Sequence, residues 1–295
     1  MTSRKIASHF VHRRKIYNFE QSKLAQMTLQ LLICTYNEHI AQIPDMLLPS
    51  IEGVSYLVSW QQADGYQPCA LPEQLQRSDV EVATLQGLGL SRNRNNCLAH
   101  ATADVCLICD DDCRYTEQGL KAVISTFEQN PTLTLATFKS KRAHDNRHYP
   151  SKSVDLRTRN AHYSPSSVEI AFRREAVVGK VKFDERFGLG SGLFGSGEDN
   201  IFVADVLALG GDCRFFPIEI VQHDALSTWI TQAAEPSQLM AQGAVMYRFY
   251  RRTMHLRAPL YAWRMRRYGV PFAHTLKHVH KGISTMRKLS KHHKK

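Results

Sequence analysis

VCLICDDD, residues 105–112, sets three successive carboxylates directly after an apolar run. The apolar part, Val105 to Cys109, has the length of one buried strand. Carboxylates packed this closely repel one another, and each loses hydration at a cost unless it gains a partner. Because ligands bind at the carboxyl ends of strands in open α/β sheets, the stretch predicts a ligand site at a strand end. A solvated acidic turn is the alternative, since aspartate is common in turns.

A divalent cation would stabilise the neighbouring carboxylates of Asp110, Asp111 and Asp112. Mg²⁺ and Mn²⁺ prefer carboxylate oxygen, so either ion would offset the repulsion and could bridge to a phosphate-bearing ligand. The cysteines around the same stretch alternate across a strand, and no second pair follows them as in a zinc site. We therefore expect Mn²⁺ or Mg²⁺ here, and not zinc.

Strand-like runs and helical patterns alternate on both sides of this stretch. This alternation predicts an α/β fold with a mostly parallel open sheet flanked by helices. Strand-like runs occupy residues 29–34, 54–60, 80–84, 132–138, 167–172 and 213–221, and helical patterns occupy residues 40–50, 91–101, 116–129, 198–207 and 240–256. Ser91 is predicted to cap the second of these helices, with Leu98 and Ala101 facing inward. Residues 140–164 show no clear period, so we expect a loop or lid there.

The overall composition is that of an ordinary globular chain. At 295 residues, 43% hydrophobic and 22% charged, the chain can bury a sizeable core. It lacks the run of roughly 18 apolar residues that a transmembrane helix needs, and its first residues lead into no signal-peptide-like segment. Several of the seven cysteines lie in apolar runs, which indicates reduced core thiols. We therefore expect a cytoplasmic protein.

The net charge of +11 is concentrated at one end of the chain. Residues 239–295 contain eight Arg, six Lys and no Asp or Glu, a charge of +14, which leaves −3 for the rest. Such a tail attracts anionic membranes or nucleic acid. Its arginines alternate with aromatic residues between 247 and 268, which favours peripheral attachment to the inner face of a membrane. A helical extension that packs on the rest of the protein is an equal alternative.

Four motifs, in this order, resemble the family 2 glycosyltransferases with the GT-A fold. They are CTYNE at 34–38, LSRNRN at 90–95, DDD at 110–112, and ED at 198–199 with a histidine after it at 223. Each motif alone is weakly specific, whereas the ordered set, spread over about residues 29–226, is distinctive. The chain departs from the family where the second strand ends in SWQQ at 59–62, because an Asp-x-x-Ser turn that contacts the base is usual there.

The charge and composition of the two ends predict a basic lead-in at 1–28 and a basic, aromatic-rich helical extension at 239–295, and the resemblance implies a GT-A catalytic domain at 29–238 between them. The implied activity is inverting, metal-dependent transfer of a hexosyl or N-acetylhexosaminyl group from a nucleoside diphosphate sugar to a hydroxyl of a glycan or lipid-linked acceptor. A UDP-sugar is the first expectation for the donor. Surface polysaccharide biosynthesis is the implied setting.

The same resemblance assigns roles to individual residues. Asp199 would take the proton from the acceptor hydroxyl, and Glu198 would orient the acceptor or act as the base itself. Asp112, Asp110 and His223 would hold the metal. The nucleotide would contact Thr35, Tyr36, Glu38, Arg94, Asp110 and Asp111.

Two other functions fit parts of the sequence. A metal-dependent nucleotidyltransferase would need a glycine-rich phosphate loop after the first strand, which residues 35–38 do not supply. A nucleic-acid-binding protein could use the basic tail, but the mildly acidic body offers no continuous basic track, so no nucleic acid is expected as a partner.

Overall fold

The computed structural model describes residues 26–142, 148–158, 164–223 and 232–292. The strands are β1 (Leu29–Tyr36), β2 (Val54–Gln62), β3 (Val80–Gln86), β4 (Val105–Asp110), β5 (Cys113–Tyr115), β6 (Leu133–Arg142), β7 (Val154–Asp155), β8 (Ile170–Arg173) and β9 (Asp212–His223). The α-helices are α1 (Leu90–His100), α2 (Glu117–Gln129), α3 (Arg174–Val177), α4 (Glu198–Ala208), α5 (Pro236–Phe249), α6 (Met254–Met265) and α7 (Phe272–His292). Short 3₁₀ helices span Asn37–Met46, Glu73–Gln76, Ser167–Glu169 and Arg266–Tyr268.

The described strands form one sheet in the order β3-β2-β1-β4-β8-β6-β9-β5, with β7 paired to β9. Strands β1 to β4 pair in parallel, as predicted from the alternation of strands and helices. Beyond β4 the pairing is mixed, because β8 runs antiparallel to both of its neighbours while β6 and β9 are parallel. The expected α/β architecture, a central sheet flanked by helices, is confirmed.

The central strands are largely apolar because both faces of the sheet are covered. In β1, Leu31 and Ile33 pack into one core cluster, while Leu32 and Cys34 pack into a second cluster on the opposite face. Strand β4 is likewise buried until its last residue, Asp110. The two layers of core therefore fix these strands, and Thr35 of β1 and Asp110 of β4 lie at their carboxyl ends.

Helix α1 begins one residue earlier than expected, and Ser91 does not cap it. Gly89 occupies the N-cap position with φ of 131°, a conformation that suits glycine. The Ser91 hydroxyl instead donates a hydrogen bond of 2.6 Å to the carbonyl oxygen of Phe187. The capping prediction was wrong because a tertiary partner, 96 residues away, takes the hydroxyl. Leu98 and Ala101 face inward, as predicted.

Two further element boundaries differ from the sequence prediction. The expected strand at 167–172 starts as a 3₁₀ turn, because Ser166 and Glu169 form a reciprocal capping box, and only β8 is extended. The expected helix at 240–256 is divided, with α5 ending at Phe249 and α6 starting at Met254. The predicted loop or lid at 140–164 includes the end of β6 and strand β7, and its residues 143–147 and 159–163 lie outside the described ranges.

The C-terminal helices pack onto the loop and helix that precede them. Ile201 of α4 and Phe187 share a buried cluster with Ala244 of α5 and Val279 of α7. Helices α5 and α7 touch through Gly243 and Gly282, where an added Cβ would collide with the facing backbone carbonyl. None of the helices in the described ranges has the length and apolar content needed to cross a membrane. The predicted lead-in at 1–28 lies almost wholly outside these ranges.

Candidate functional site

A cavity of about 490 Å³ opens at the carboxyl ends of β1, β2 and β4. The parallel pairing places Cys34 opposite Asp110, so that the polar residues following each strand meet at one edge of the sheet. The start of α1 and the start of α4 close the cavity from the other side. This is the placement that VCLICDDD predicts. The predicted residues that line the cavity are Thr35, Tyr36, Arg94, Asp110, Asp111, Asp112, Glu198 and Asp199.

Arg94 joins the carboxylates of the two acidic motifs. Its Nη1 donates hydrogen bonds to Oδ1 of Asp199 at 2.7 Å and to Oε1 of Glu198 at 3.1 Å, and its Nη2 donates to Oδ1 of Asp110 at 3.1 Å. The Arg94 side chain is only 3% exposed. Burial alone would lower the pKa of this guanidinium, but the three carboxylates more than reverse that effect. The buried cation therefore ties the end of β4 to the start of α4.

Ser167 closes a ring of hydrogen bonds with the same groups. Its backbone N–H donates to Oδ2 of Asp199 at 3.0 Å, and its hydroxyl donates to Oδ2 of Asp110 at 3.2 Å. Both oxygens of Asp199 are therefore held, one by Arg94 and one by Ser167. Sequence reasoning missed Ser167, although the SSVE run at 166–169 shows the spacing of a capping box, a pattern that marks a turn.

Asp111 lies on the β1 side of the cavity. The Thr35 hydroxyl donates to its Oδ2 at 2.8 Å, and Nδ1 of His39 lies 3.4 Å from the same oxygen. Burial raises the pKa of Asp111, and the hydrogen bond from Thr35 opposes that shift. Tyr36 is 44% exposed and lies against the ring of His39. Glu38 is exposed and is not part of the cavity wall, so the structure does not bring it together with the other predicted residues.

The predicted metal ligands come from two adjoining strands. Asp112 is exposed and lines the cavity just before β5. Strand β5 pairs with β9 so that Cys113 lies opposite His223, which brings the backbone of His223 next to Asp112. The His223 side chain lies outside what the structure describes. Among the described residues, no three His, Cys, Asp or Glu side chains form a group that could hold a metal by themselves.

Glu198 is a buried carboxyl with an unsatisfied oxygen. Its Oε2 has no hydrogen-bond partner in the described part of the chain, and the side chain is 9% exposed. Burial raises its pKa to about 7, the neighbouring Asp199 adds to the shift, and Arg94 opposes it. Glu198 can therefore change its protonation state near neutral pH. This change adds or removes one negative charge in the cluster that Arg94 forms with Asp110, Glu198 and Asp199.

This shift predicts a pH dependence of stability. A carboxyl whose pKa rises from 4.5 to about 7 on folding binds more protons in the folded state, so the free energy of unfolding falls as the pH rises between those values. We expect Glu198→Gln to remove about 3 kcal/mol of that fall. Urea denaturation of both proteins from pH 4 to 8 measures it. Glu81→Gln, which changes an exposed residue, should give a plot of the free energy of unfolding against pH that is parallel to that of the wild type. A parallel plot for Glu198→Gln would contradict the raised pKa of Glu198.

A glycine-rich loop, residues 188–197, and α5 complete the wall. The backbone N–H of Leu90 donates to the carbonyl of Leu189 at 2.8 Å, which holds the loop against α1. Nε2 of Gln238 donates to the carbonyl of Gly195 at 3.0 Å, and Gln238 lines the cavity. Sequence reasoning assigned Gln238 no role. The predicted domain boundary at 238/239 falls within α5, so this helix belongs both to the cavity wall and to the basic extension.

The chain matches known proteins in sequence pattern and in fold. The model of the glycosyl transferase family 2 matches residues 31–187, just over half of the chain. No curated protein sequence matches it significantly. The crystal structure of S. aureus TarS 1-349 is 15% identical, with a TM-score of 0.55, over 89% of this chain and 92% of that one.

Other structures of TarS show the same likeness. The TarS 1-349 complex with UDP-GlcNAc is 16% identical, with a TM-score of 0.51, over 74% of this chain and 66% of that one. The longer TarS crystal structure is 17% identical, with a TM-score of 0.52, over 75% of this chain. The alignment covers only 39% of that longer chain. At these identities the likeness concerns the fold, which is of the GT-A type. The family match over more than half of the chain shows that this chain belongs to glycosyl transferase family 2.

Proposed function

We propose that this protein is an inverting glycosyltransferase that moves a sugar from a nucleoside diphosphate sugar to an acceptor hydroxyl. The observation that carries the proposal is the network around Arg94, which brings the DDD and ED motifs of a family 2 chain together in one cavity. One acidic motif would face the departing diphosphate, and the other would face the incoming hydroxyl.

Asp199 is the proposed general base. Arg94 and the Ser167 backbone hold its two oxygens, which fixes the carboxylate and favours its ionised form. A fixed, ionised carboxylate can take the proton from an acceptor hydroxyl as the oxygen attacks the anomeric carbon. Attack from the face opposite the diphosphate inverts the configuration. Glu198 is the weaker candidate because its second carboxyl oxygen is buried and makes no hydrogen bond among the described residues, and its contact with Arg94 supports a positioning role.

The donor is proposed to be a UDP-sugar, with transfer of a hexosyl or N-acetylhexosaminyl group. A cavity of about 490 Å³ has the size of a small-molecule site. TarS, which shares the fold, has been crystallised with UDP and with UDP-GlcNAc. In this chain Thr35, Tyr36 and Asp111 line the same end of the cavity as Asp110, where the nucleotide would lie. Arg94 would affect the phosphates indirectly, because it holds the Asp110 carboxylate on the nucleotide side of the cavity.

The carboxylates at the cavity fit a divalent cation. Burial raises the pKa of Asp111, and the neighbouring carboxylates of Asp110 and Asp112 add to the shift, so a cation bound here would relieve their repulsion. Mg²⁺ is commonly held by one or two carboxylates together with water and substrate phosphates, so a complete protein cage is not required. Asp112 and Asp110 would hold Mn²⁺ or Mg²⁺, and His223, whose backbone on β9 lies opposite Cys113, would be the third ligand. The bound cation would neutralise charge on the leaving diphosphate.

The acceptor is proposed to be a glycan or a lipid-linked saccharide in surface polysaccharide biosynthesis. The basic C-terminal extension would attach the protein peripherally to an anionic membrane, where a lipid-linked acceptor is presented. A charge of +14 without one acidic residue between 239 and 295 supports this attachment.

Nucleotide-dependent stabilisation tests the function. A sugar nucleotide should raise the melting temperature in the presence of Mn²⁺, and Asp112→Ala should remove the metal-dependent part. The nucleotidyltransferase and nucleic-acid alternatives have no comparable support, since the family match covers the first strand and the carboxylate motif. The cavity also presents carboxylates where a nucleic-acid site would present cations.

A further inference from the structure

Helix α6 carries apolar residues on two opposite faces. One face is buried against the other C-terminal helices and consists of Met254, Ala258, Ala262 and Met265. The opposite face consists of Leu256, Leu260 and Trp263, which are 75%, 51% and 59% exposed. At about 100° of rotation per residue, these three side chains form one stripe roughly 60° wide. A helix on the surface of a globular protein needs only one apolar face, so the second is available for another partner.

Cationic and aromatic side chains surround this exposed stripe. Arg257 and Arg264 lie along one flank of it on the same helix, and both are exposed. Arg267 and Tyr268 follow directly after α6 and are also exposed. The sequence contains no acidic residue from 236 to 295. Leucine and tryptophan between arginines is the composition of helices that lie in the interface of an anionic membrane.

We propose that the α6 stripe, defined as Leu256, Leu260 and Trp263, inserts into the interfacial layer of an anionic lipid membrane. This rests on the peripheral attachment proposed above and is independent of the sugar-transfer chemistry. The apolar side chains enter the boundary between headgroups and acyl chains, while Arg257 and Arg264 reach anionic headgroups. A second copy of the chain is disfavoured as the occupant, because two such stripes face to face would bring their arginines together.

Vesicle co-sedimentation tests this assignment. The wild type should bind vesicles of phosphatidylcholine and phosphatidylglycerol, and should bind phosphatidylcholine vesicles weakly. The double variant Leu256→Ser/Leu260→Ser should bind the anionic vesicles at least about tenfold more weakly, because it loses apolar area that enters the interface. The matched control is Leu209→Ser, which changes a leucine that is 49% exposed on the turn after α4 and should bind as the wild type does.

Trp263 provides a second measurement. Vesicles that contain brominated lipid should quench part of the tryptophan fluorescence, and Trp263→Phe should remove that quenching while thermal unfolding stays unchanged. Full vesicle binding by a folded double variant would overturn the assignment of the α6 stripe to membrane insertion, while the proposal of membrane attachment would stand. No binding by the wild type would overturn both. A wild-type dimer that the double variant converts to a monomer, without vesicle binding, would assign the stripe to a second copy.

Discussion

Replacing Asp199 by asparagine is expected to lower the rate of sugar transfer by about 10²–10⁴-fold, the range that a positioned general base contributes. Asparagine keeps the size of the side chain and can still accept a hydrogen bond from Arg94. It cannot take a proton from the acceptor hydroxyl. The loss should appear in kcat, while the affinity for the nucleotide changes little, since the proposed nucleotide contacts lie at the β1 and β4 ends of the cavity.

Two matched variants make the Asp199 experiment specific. Asp205→Asn changes another aspartate of α4, one that pairs with Arg248, and should leave kcat within a few-fold of the wild type. Glu198→Gln separates the two candidate bases. If Glu198→Gln costs as much as a missing base and Asp199→Asn retains nearly full kcat, the assignment of the base is reversed. Initial rates of nucleotide release with saturating donor and acceptor measure all three.

Replacing Arg94 by methionine is expected to destabilise the fold by about 3–5 kcal/mol, the cost of removing one partner from a buried ion cluster. Methionine fills much of the volume but leaves Asp110, Glu198 and Asp199 without their shared cation. The site should lose its geometry as well, so transfer should fall with stability. Urea denaturation at pH 8 measures the loss.

The pH dependence distinguishes lost charge from lost packing in the Arg94 variant. The guanidinium opposes the rise in the pKa of Glu198, so without it the folded-state pKa of this carboxyl lies still further above its unfolded value. Such groups stabilise the fold only when protonated, so the deficit should shrink as the pH falls from 8 towards 5. A deficit that is the same at every pH would indicate packing instead. Arg92→Met, two residues earlier and exposed, should change stability by less than about 0.5 kcal/mol at either pH.

The sequence allowed the sheet edge and most of the cavity to be predicted, because both follow from local patterns. Apolar runs such as 105–109 are buried strands, and the polar residues that end them collect where parallel strands end. Arg94, Asp110 and Asp199 could be assigned to one site because the motifs that carry them occur in family order. The contact between Arg94 and Asp199 could not be predicted, since it depends on how α1 and α4 pack across the cavity.

The missed residues owe their places to tertiary contacts. Ser167 meets Asp199 because a 3₁₀ turn presents its backbone N–H, and no local pattern specifies that target. Gln238 reaches the cavity because α5 packs on the glycine-rich loop. Its hydrogen-bond partner in that loop, Gly195, lies 43 residues earlier in the sequence. The break between α5 and α6 was not predicted either, because the helical pattern of residues 240–256 is continuous in the sequence. After this break, α6 carries Leu256, Leu260 and Trp263 exposed on one face.

Calorimetric titration of the protein with UDP and a panel of other nucleoside diphosphates, with and without Mn²⁺, tests the proposed donor site most directly. We expect one nucleotide, UDP first, to bind at one site per chain, to bind more tightly with Mn²⁺, and to lose that metal dependence in Asp112→Ala. The absence of binding by every nucleotide to the folded, metal-supplied protein would contradict the proposed donor site, and the carboxylates around Arg94 would then be structural.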